Sequence, residues 1–322
     1  MLDVTVDRQV FTHLRALTPK THQSVLSPLT APPTPDRKVA AKLRAAGLIG
    51  KNGAPTPDSQ DAAAVLTRAS SVAEVEIAGQ RVFDYAVYRP GRGQPVSVMT
   101  VVDGLRIQQP AAPGAVVEMI GETLGRSRIA ALPFEVGLPV TDALVLAALM
   151  DAERAARLTW LGGGAALEPL ATLAELAQAL TSPTVVHALV TAVQRVVPAI
   201  QLSTGELTSS LGRLATSGLA EQCSDRWTAA GDAAELGGSL LVVEKYVTLR
   251  AASLAHDGSL TMTGVTAAFS GAHGVLTVET DGELVQLRSV APYDVVSLAA
   301  GLLVDGLESS TTRPRESAGT AP

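Results

Sequence analysis

Cysteine occurs once in the 322 residues, at Cys223. A single thiol excludes an internal disulfide framework and any cysteine-rich zinc site, and it fits a reducing compartment. Cys223 follows a Gly-Leu-Ala turn, where a small thiol reads as structural filler rather than as a nucleophile. Aromatic residues make up only 3% of the chain, which counts against sites that stack bases or sugars. Apolar runs are short. Residues 138–150 are too few to span a bilayer and contain Asp142; residues 184–202 include His187, Gln194, Arg195 and Pro198. The opening residues 1–7 are mixed and acidic, unlike a signal peptide. The expectation is a cytoplasmic protein with no membrane insertion.

Catalytic and ligand motifs are also scarce. The five histidines, His13, His22, His187, His256 and His273, have no i,i+4 metal spacing. No Gly-x-Ser-x-Gly elbow occurs. Gly50-Lys51 is followed by Asn52, and Ala45 stands where a phosphate loop needs its first glycine. The glycines at 162–164 lack a preceding strand, and Leu167 occupies the third fingerprint position, so they read as a break between helices. Glu74 and Glu76 share one face of a strand. Paired carboxylates can transfer protons or hold a cation, but a solvated strand face, with Ala73, Val75 and Ile77 turned inward, is the plainer reading. The expectation is a non-enzymatic protein with no catalytic residue, no cofactor and no metal.

What is present is a globular composition, 47% hydrophobic and 17% charged, long enough for two domains. Net charge is −6 but unevenly placed. Residues 1–128 carry 15 basic against 11 acidic side chains, a net of +4, and residues 129–322 carry 10 against 20, a net of −10. This balance counts against nucleic acid as a partner of the whole surface.

The chain also repeats itself. Residues 95–124 run strand, Asp103-Gly104 turn, strand, Pro113, then a helix containing Val116-Val117. Residues 274–303 run strand, Asp281-Gly282, strand, Pro292, then a helix containing Val295-Val296. Tight Asp-Gly turns join antiparallel neighbours, so each copy reads as an antiparallel meander. Ahead of each meander lie helices: 36–47, opened by Asp36 as N-cap and closed by Gly47, then 58–68; and in the second copy a helix ending at Gly218, then 229–236. The predicted fold class is α+β, a duplicated module of helices plus antiparallel meander with pseudo-two-fold symmetry and a helical bridge. The predicted boundaries are an N-terminal segment 1–35, a first repeat 36–128, a bridge 129–202, a second repeat 203–308 and a disordered tail 309–322.

Two surfaces invite partners. Arg37, Lys38, Lys42 and Arg44 cluster on a helix, with Lys51 in the loop beyond. In the second copy, residues 214–221 and then Trp227-Thr228-Ala229-Ala230-Gly231 resemble the helix–wing–helix passage of winged-helix regulators. A reading helix needs basic residues facing a groove, and the second copy offers only Arg213. Winged-helix topology without DNA binding is the preferred reading; a winged-helix transcriptional regulator is the alternative. The other surface is the expected strand 240–250. One row holds Leu241, Val243, Val247 and Leu249, interrupted by Lys245. A second holds Leu240, Val242 and Tyr246, mixed with Glu244 and Arg250. Such a strand is covered on both faces or offers one to a partner. Leu240, Val242 and Tyr246 are the candidate partner-binding residues.

Over residues 10–145 the chain resembles EspG, the cytosolic chaperone family of type VII (ESX) secretion systems. The resemblance is carried by Lys42-Leu43-Arg44-Ala45-Ala46-Gly47-Leu48-Ile49, by Asn52-Gly53 with Pro57-Asp58, by the strands 72–77 and 96–107, and by Leu124-Gly125 with residues 132–144. The second half lacks the family's tyrosine-containing strand with its Asp-Thr-x-x-Gly-Arg hairpin. The resemblance implies two pseudo-symmetric halves about a central antiparallel sheet and a secretion chaperone or adaptor. The client would be a helical secreted protein, gripped by the central sheet and the C-terminal part.

Overall fold

A computed structural model describes residues 1–15, 17, 37–79, 82–125, 127–128, 132–165, 167–184, 186–197, 200–241, 243, 245–254, 259–269, 274–280 and 283–305. The predicted N-cap Asp36, the turn at 281–282 and the tail 309–322 lie outside them.

The first half begins with strand β1 (Leu2–Val6) and helices α1 (Arg8–Arg15), α2 (Arg37–Ala45) and α3 (Pro57–Arg68). Strands β2 (Ser71–Ala78), β3 (Val82–Arg89), β4 (Val96–Val101) and β5 (Gly104–Gln109) follow, closed by helix α4 (Gly114–Leu124). The second half begins with β6 (Glu135–Pro139) and α5 (Val140–Leu161), then α6 (Leu173–Thr181), α7 (Ala188–Gln194) and α8 (Thr204–Thr216). A small hairpin, β7 (Ala220–Cys223) with β8 (Arg226–Ala229), leads into α9 (Gly231–Ser239). Strands β9 (Lys245–Leu254), β10 (Leu260–Phe269), β11 (Val275–Thr280) and β12 (Leu284–Val290) precede α10 (Pro292–Ala300) and a π-helical turn at Gly301–Asp305.

The fold is α+β. Ten strands form one antiparallel sheet in the order β1-β5-β4-β3-β2-β9-β10-β11-β12-β6. That order reads the same from both ends once β1 is matched to β6, β5 to β12, β4 to β11, β3 to β10 and β2 to β9. The pseudo-two-fold therefore passes between β2 and β9, which pair antiparallel with Val75 opposite Leu249.

The order also corrects the expected boundaries. The N-terminal segment is not separate, because β1 forms one edge of the sheet against β5. Nor is 129–202 simply a bridge: β6 and α5 are the second-half counterparts of β1 and α1, with β6 on the opposite edge beside β12. Among the described residues, α6, α7 and the hairpin at Ala220–Ala229 have no counterpart element in the first half. At the β1 edge, Gly104 is held at φ +148° with Val6 O 2.3 Å from where a Cβ would stand, so the tight turn and the edge strand both require glycine there.

Alternation along the strands builds three cores. Odd residues of β2 and β9 (Ala73, Val75, Ile77; Val247, Leu249, Ala251) pack with α4 and α10 residues such as Ile120 and Val295 on one face. On the other face, Leu2, Val6, Val96, Val98 and Ile107 meet α1–α3. At the far end of that face, Leu276, Val278, Val285 and Leu287 meet the helices of the second half. Each face is covered because a two-sided apolar strand must find helices on both sides.

Candidate functional site

Helix α5 sets the geometry of the second half. Residues 142–151 are buried all round because α6, α7, α8 and α9 surround this stretch. The closest approach is to α9, where a Cβ on Gly237 would stand 2.8 Å from Met150 O and 3.0 Å from Met150 Cα. At its N-terminal end Asp142 accepts hydrogen bonds from Ser210 and from Arg213, the latter at 2.6 and 2.9 Å. Burial pushes the Asp142 carboxyl up, and those donors outweigh it and leave it below the usual range.

Past residue 151 the helix emerges and its small side chains become the floor of a groove. Ala148, Ala152, Ala155 and Ala156 line it, with Leu176 and Ala179 of α6 opposite. The groove has a volume of about 270 Å³. One wall is the segment 167–171, pinned by reciprocal 2.8 Å hydrogen bonds between Ala171 and Trp227 of β8. Helix α6 then starts on a capping box between Thr172 and Glu175.

The other wall is the turn at Thr184–His187. The Thr184 amide donates to His187 Nδ1 at 3.0 Å, and the His187 amide to Thr184 O at 2.8 Å. Burial, with Arg154 nearby, lowers the His187 pKa, which suits a neutral ring accepting through Nδ1. Beneath lies a buried clasp. Asp151 accepts Arg154 Nε at 3.1 Å, Leu189 N at 3.0 Å and Val190 N at 3.1 Å. Arg154 also donates to Leu241 O at 3.0 Å and to Val186 O. Burial pushes the Asp151 carboxyl up to about 6 against the pull of Arg154 and the two amides.

Two large apolar side chains of the groove lining face solvent, and two more are exposed at the end of α5. Leu167 and Val186, both lining the groove, are 56% and 49% exposed; Trp160 and Leu161, where α5 ends, are 57% and 55% exposed. Apolar exposure gathered in one place marks an interaction surface more than scattered single residues do.

A second concavity, of about 290 Å³, lies over the central sheet between the two helical caps. Glu74, Glu76, Asp84, Arg250, Tyr88 and Phe11 line it. Burial, with Glu74 nearby, pushes the Tyr88 hydroxyl up to about 12. Glu76 joins the halves: Arg195 Nη1 stands 2.5 Å and Arg250 Nη1 3.5 Å from its carboxylate oxygens. The pair with Arg195 is about a fifth exposed on both sides, between the surface and the buried limit. Glu76→Gln should therefore lower stability by about 1–2 kcal/mol in urea unfolding, and adding Arg195→Gln should cost less than it does in the wild-type background, the remainder being its contact over the Tyr246 ring; fully additive losses would show that the ion pair is not energetically coupled.

The expected partner row is corrected. Leu240 is fully buried and terminates α9 rather than starting a strand, which begins at Lys245. Tyr246 packs against the second-half core, its hydroxyl donating to Ala188 O at 3.1 Å and Arg195 lying over its ring at 4.8 Å. Leu240 and, in part, Tyr246 are covered by the chain's own helices. Val242 and Glu244 lie outside the described residues, as do His22, His256 and His273.

Glu74 and Glu76 do share a face, and Ala73, Val75 and Ile77 do turn into the core. The basic residues of α2 are exposed, with Lys42 paired to Asp7 at 2.5 Å. Arg213 is committed to Asp142. The helix–hairpin–helix passage at 204–239 exists as α8, β7–β8 and α9. Cys223 is half-buried at the end of β7. Sequence reasoning missed the α5–α6 groove; its only signal was the alanine spacing along α5 followed by an isolated Leu167.

Among the described residues no group of three or more His, Cys, Asp or Glu is placed to hold a metal ion, and no helix is long and apolar enough to cross a membrane. No protein-family model matches the chain, and no curated protein is a significant match to it.

Proposed function

We propose that this is a non-enzymatic binding protein, a secretion chaperone or adaptor of the EspG kind, that shields an apolar part of a helical client in the cytoplasm. The observation that carries the reading is the exposed apolar pair Leu167 and Val186 lining the α5–α6 groove, with Trp160 and Leu161 exposed at the end of α5. A rigid scaffold with unpaired apolar surface gains by covering a partner's apolar surface. The symmetric ten-stranded sheet agrees with the two related halves that the resemblance implies.

The test is isolation of the chain from its own host at native abundance. The expected result is a stoichiometric complex with a protein that is helical by circular dichroism and aggregates once released. Recovery of the chain alone, or a client that stays monodisperse by itself, contradicts the reading. Salt-sensitive retention by random duplex DNA at submicromolar protein would instead favour a winged-helix regulator built on the α8–β7–β8–α9 passage.

A further inference from the structure

We infer that the α5–α6 groove docks a partner helix that inserts large apolar side chains between Ala152, Ala156, Leu167 and Val186 and carries lysine or arginine beside them. This deepens the binding-protein reading and rests on it.

Shape argues for side chains of a larger body: the groove, of about 270 Å³, is half open to solvent, whereas small-molecule pockets bury most of their ligand's surface. The groove floor is alanine, so a partner backbone can come close, and helix backbones approach one another where small residues line the contact. Its lining includes the exposed Leu167 and Val186, apolar side chains of the kind that shield an inserted anchor from water.

Charge selects the flank. Glu168 and Glu175 line the groove. Glu175 is held ionised by the backbone and side-chain hydrogen bonds of Thr172, which lower its pKa, and nearby Arg226 offsets part of its charge. Asp151 and Arg154 neutralise each other beneath the floor. His187 is the remaining titratable group of the lining, and it is neutral near pH 7 because burial and Arg154 lower its pKa. Residues 129–322 carry a net of −10 overall. An acidic partner would meet like charge on approach, and a cationic flank would meet opposite charge.

The experiment uses two synthetic amphipathic helices of identical length and apolar face, with leucine and phenylalanine four residues apart. One is flanked by lysine and the other by glutamate. Fluorescence anisotropy measures each against the full chain, against Ala156→Arg, which fills the groove from a half-buried helix position, and against Glu168→Lys. Thermal melts confirm that both variants are folded. The expected result is binding of the lysine peptide at least about tenfold tighter than the glutamate peptide, loss of that binding in Ala156→Arg, and a smaller preference in Glu168→Lys. Equal binding of the two peptides, undiminished binding by Ala156→Arg, or no binding of either would overturn the inference. A native client that still copurified in those cases would leave the binding-protein reading standing and move its surface elsewhere.

Discussion

Asp151→Ala should cost about 3–5 kcal/mol of folding stability, the largest loss expected from any single side chain discussed above. Both members of the Asp151–Arg154 pair are nearly inaccessible, at 1% and 4% side-chain exposure. Removing the carboxylate leaves the Arg154 guanidinium buried without a counter-ion, and strips the amides of Leu189 and Val190 of their acceptor. An orphaned buried charge costs more than the pair contributes, because the desolvation is already spent. Asp151→Asn should lose less, since a carboxamide oxygen still accepts from the α7 amides.

The pH dependence has a definite sign. The Asp151 carboxyl is raised from 3.8 to about 6 by burial. Between those values the folded chain retains a proton that the unfolded chain has released, so this group's contribution to stability falls as pH rises through that window. Subtracting the Asp151→Asn curve from the wild-type curve should isolate a component with that slope. Urea unfolding from pH 4 to 7 measures it; a difference curve rising with pH would mean that Arg154 and the amides dominate burial.

Gly237→Leu should be comparably damaging for a different reason. Its Cβ would meet the Met150 backbone, which is part of α5 and cannot swing aside as a side-chain tip could. The helices α5 and α9 must separate, opening the core around Leu146, Leu149 and Leu236. Overpacking of this kind costs about 1–3 kcal/mol or more. Gly212→Ala on α8 supplies the contrast. Nothing lies within 4 Å of its added Cβ, so the better helix propensity of alanine should raise stability by up to about 1 kcal/mol. Opposite shifts in melting temperature for these two glycine substitutions are the expected result. Destabilisation by both would mean that α8 is also closely packed at that point.

Much of the fold was legible because local rules agreed with the global arrangement. The Asp-Gly turns, the proline-opened closing helices and the alternation of 72–77 each pointed to antiparallel strands with a covering helix, and β2–β5 with α4 follow that plan. The edge elements were less legible. Strand β1 alternates Leu2, Val4 and Val6, yet its counterpart β6 reads Glu-Val-Gly-Leu-Pro, so the two showed no common pattern. The start of β9 was misplaced because Gly237-Gly238 reads as a helix stop. In fact glycine there serves the close approach of α5, and α9 continues to Ser239.

The candidate site was harder to see for a related reason. Leu240 and Tyr246 have the composition of a partner-binding row, and only the path of α5 and α7 over them shows that they are already covered. The groove is the converse: it is made by small side chains and by the exposed Leu167, whose significance depends on which helices stand beside them.

A client on the exposed apolar surface of the second half is what the proposed function requires. Site-specific photo-crosslinking in the native host, with the reactive residue placed in turn at Leu167, at Trp160 and at the exposed Val102 on the distant β4–β5 turn, tests this most directly. The account predicts one common adduct, a helical protein, from positions 167 and 160 and none from 102. Adducts of equal yield from all three positions, or from 102 alone, would contradict it.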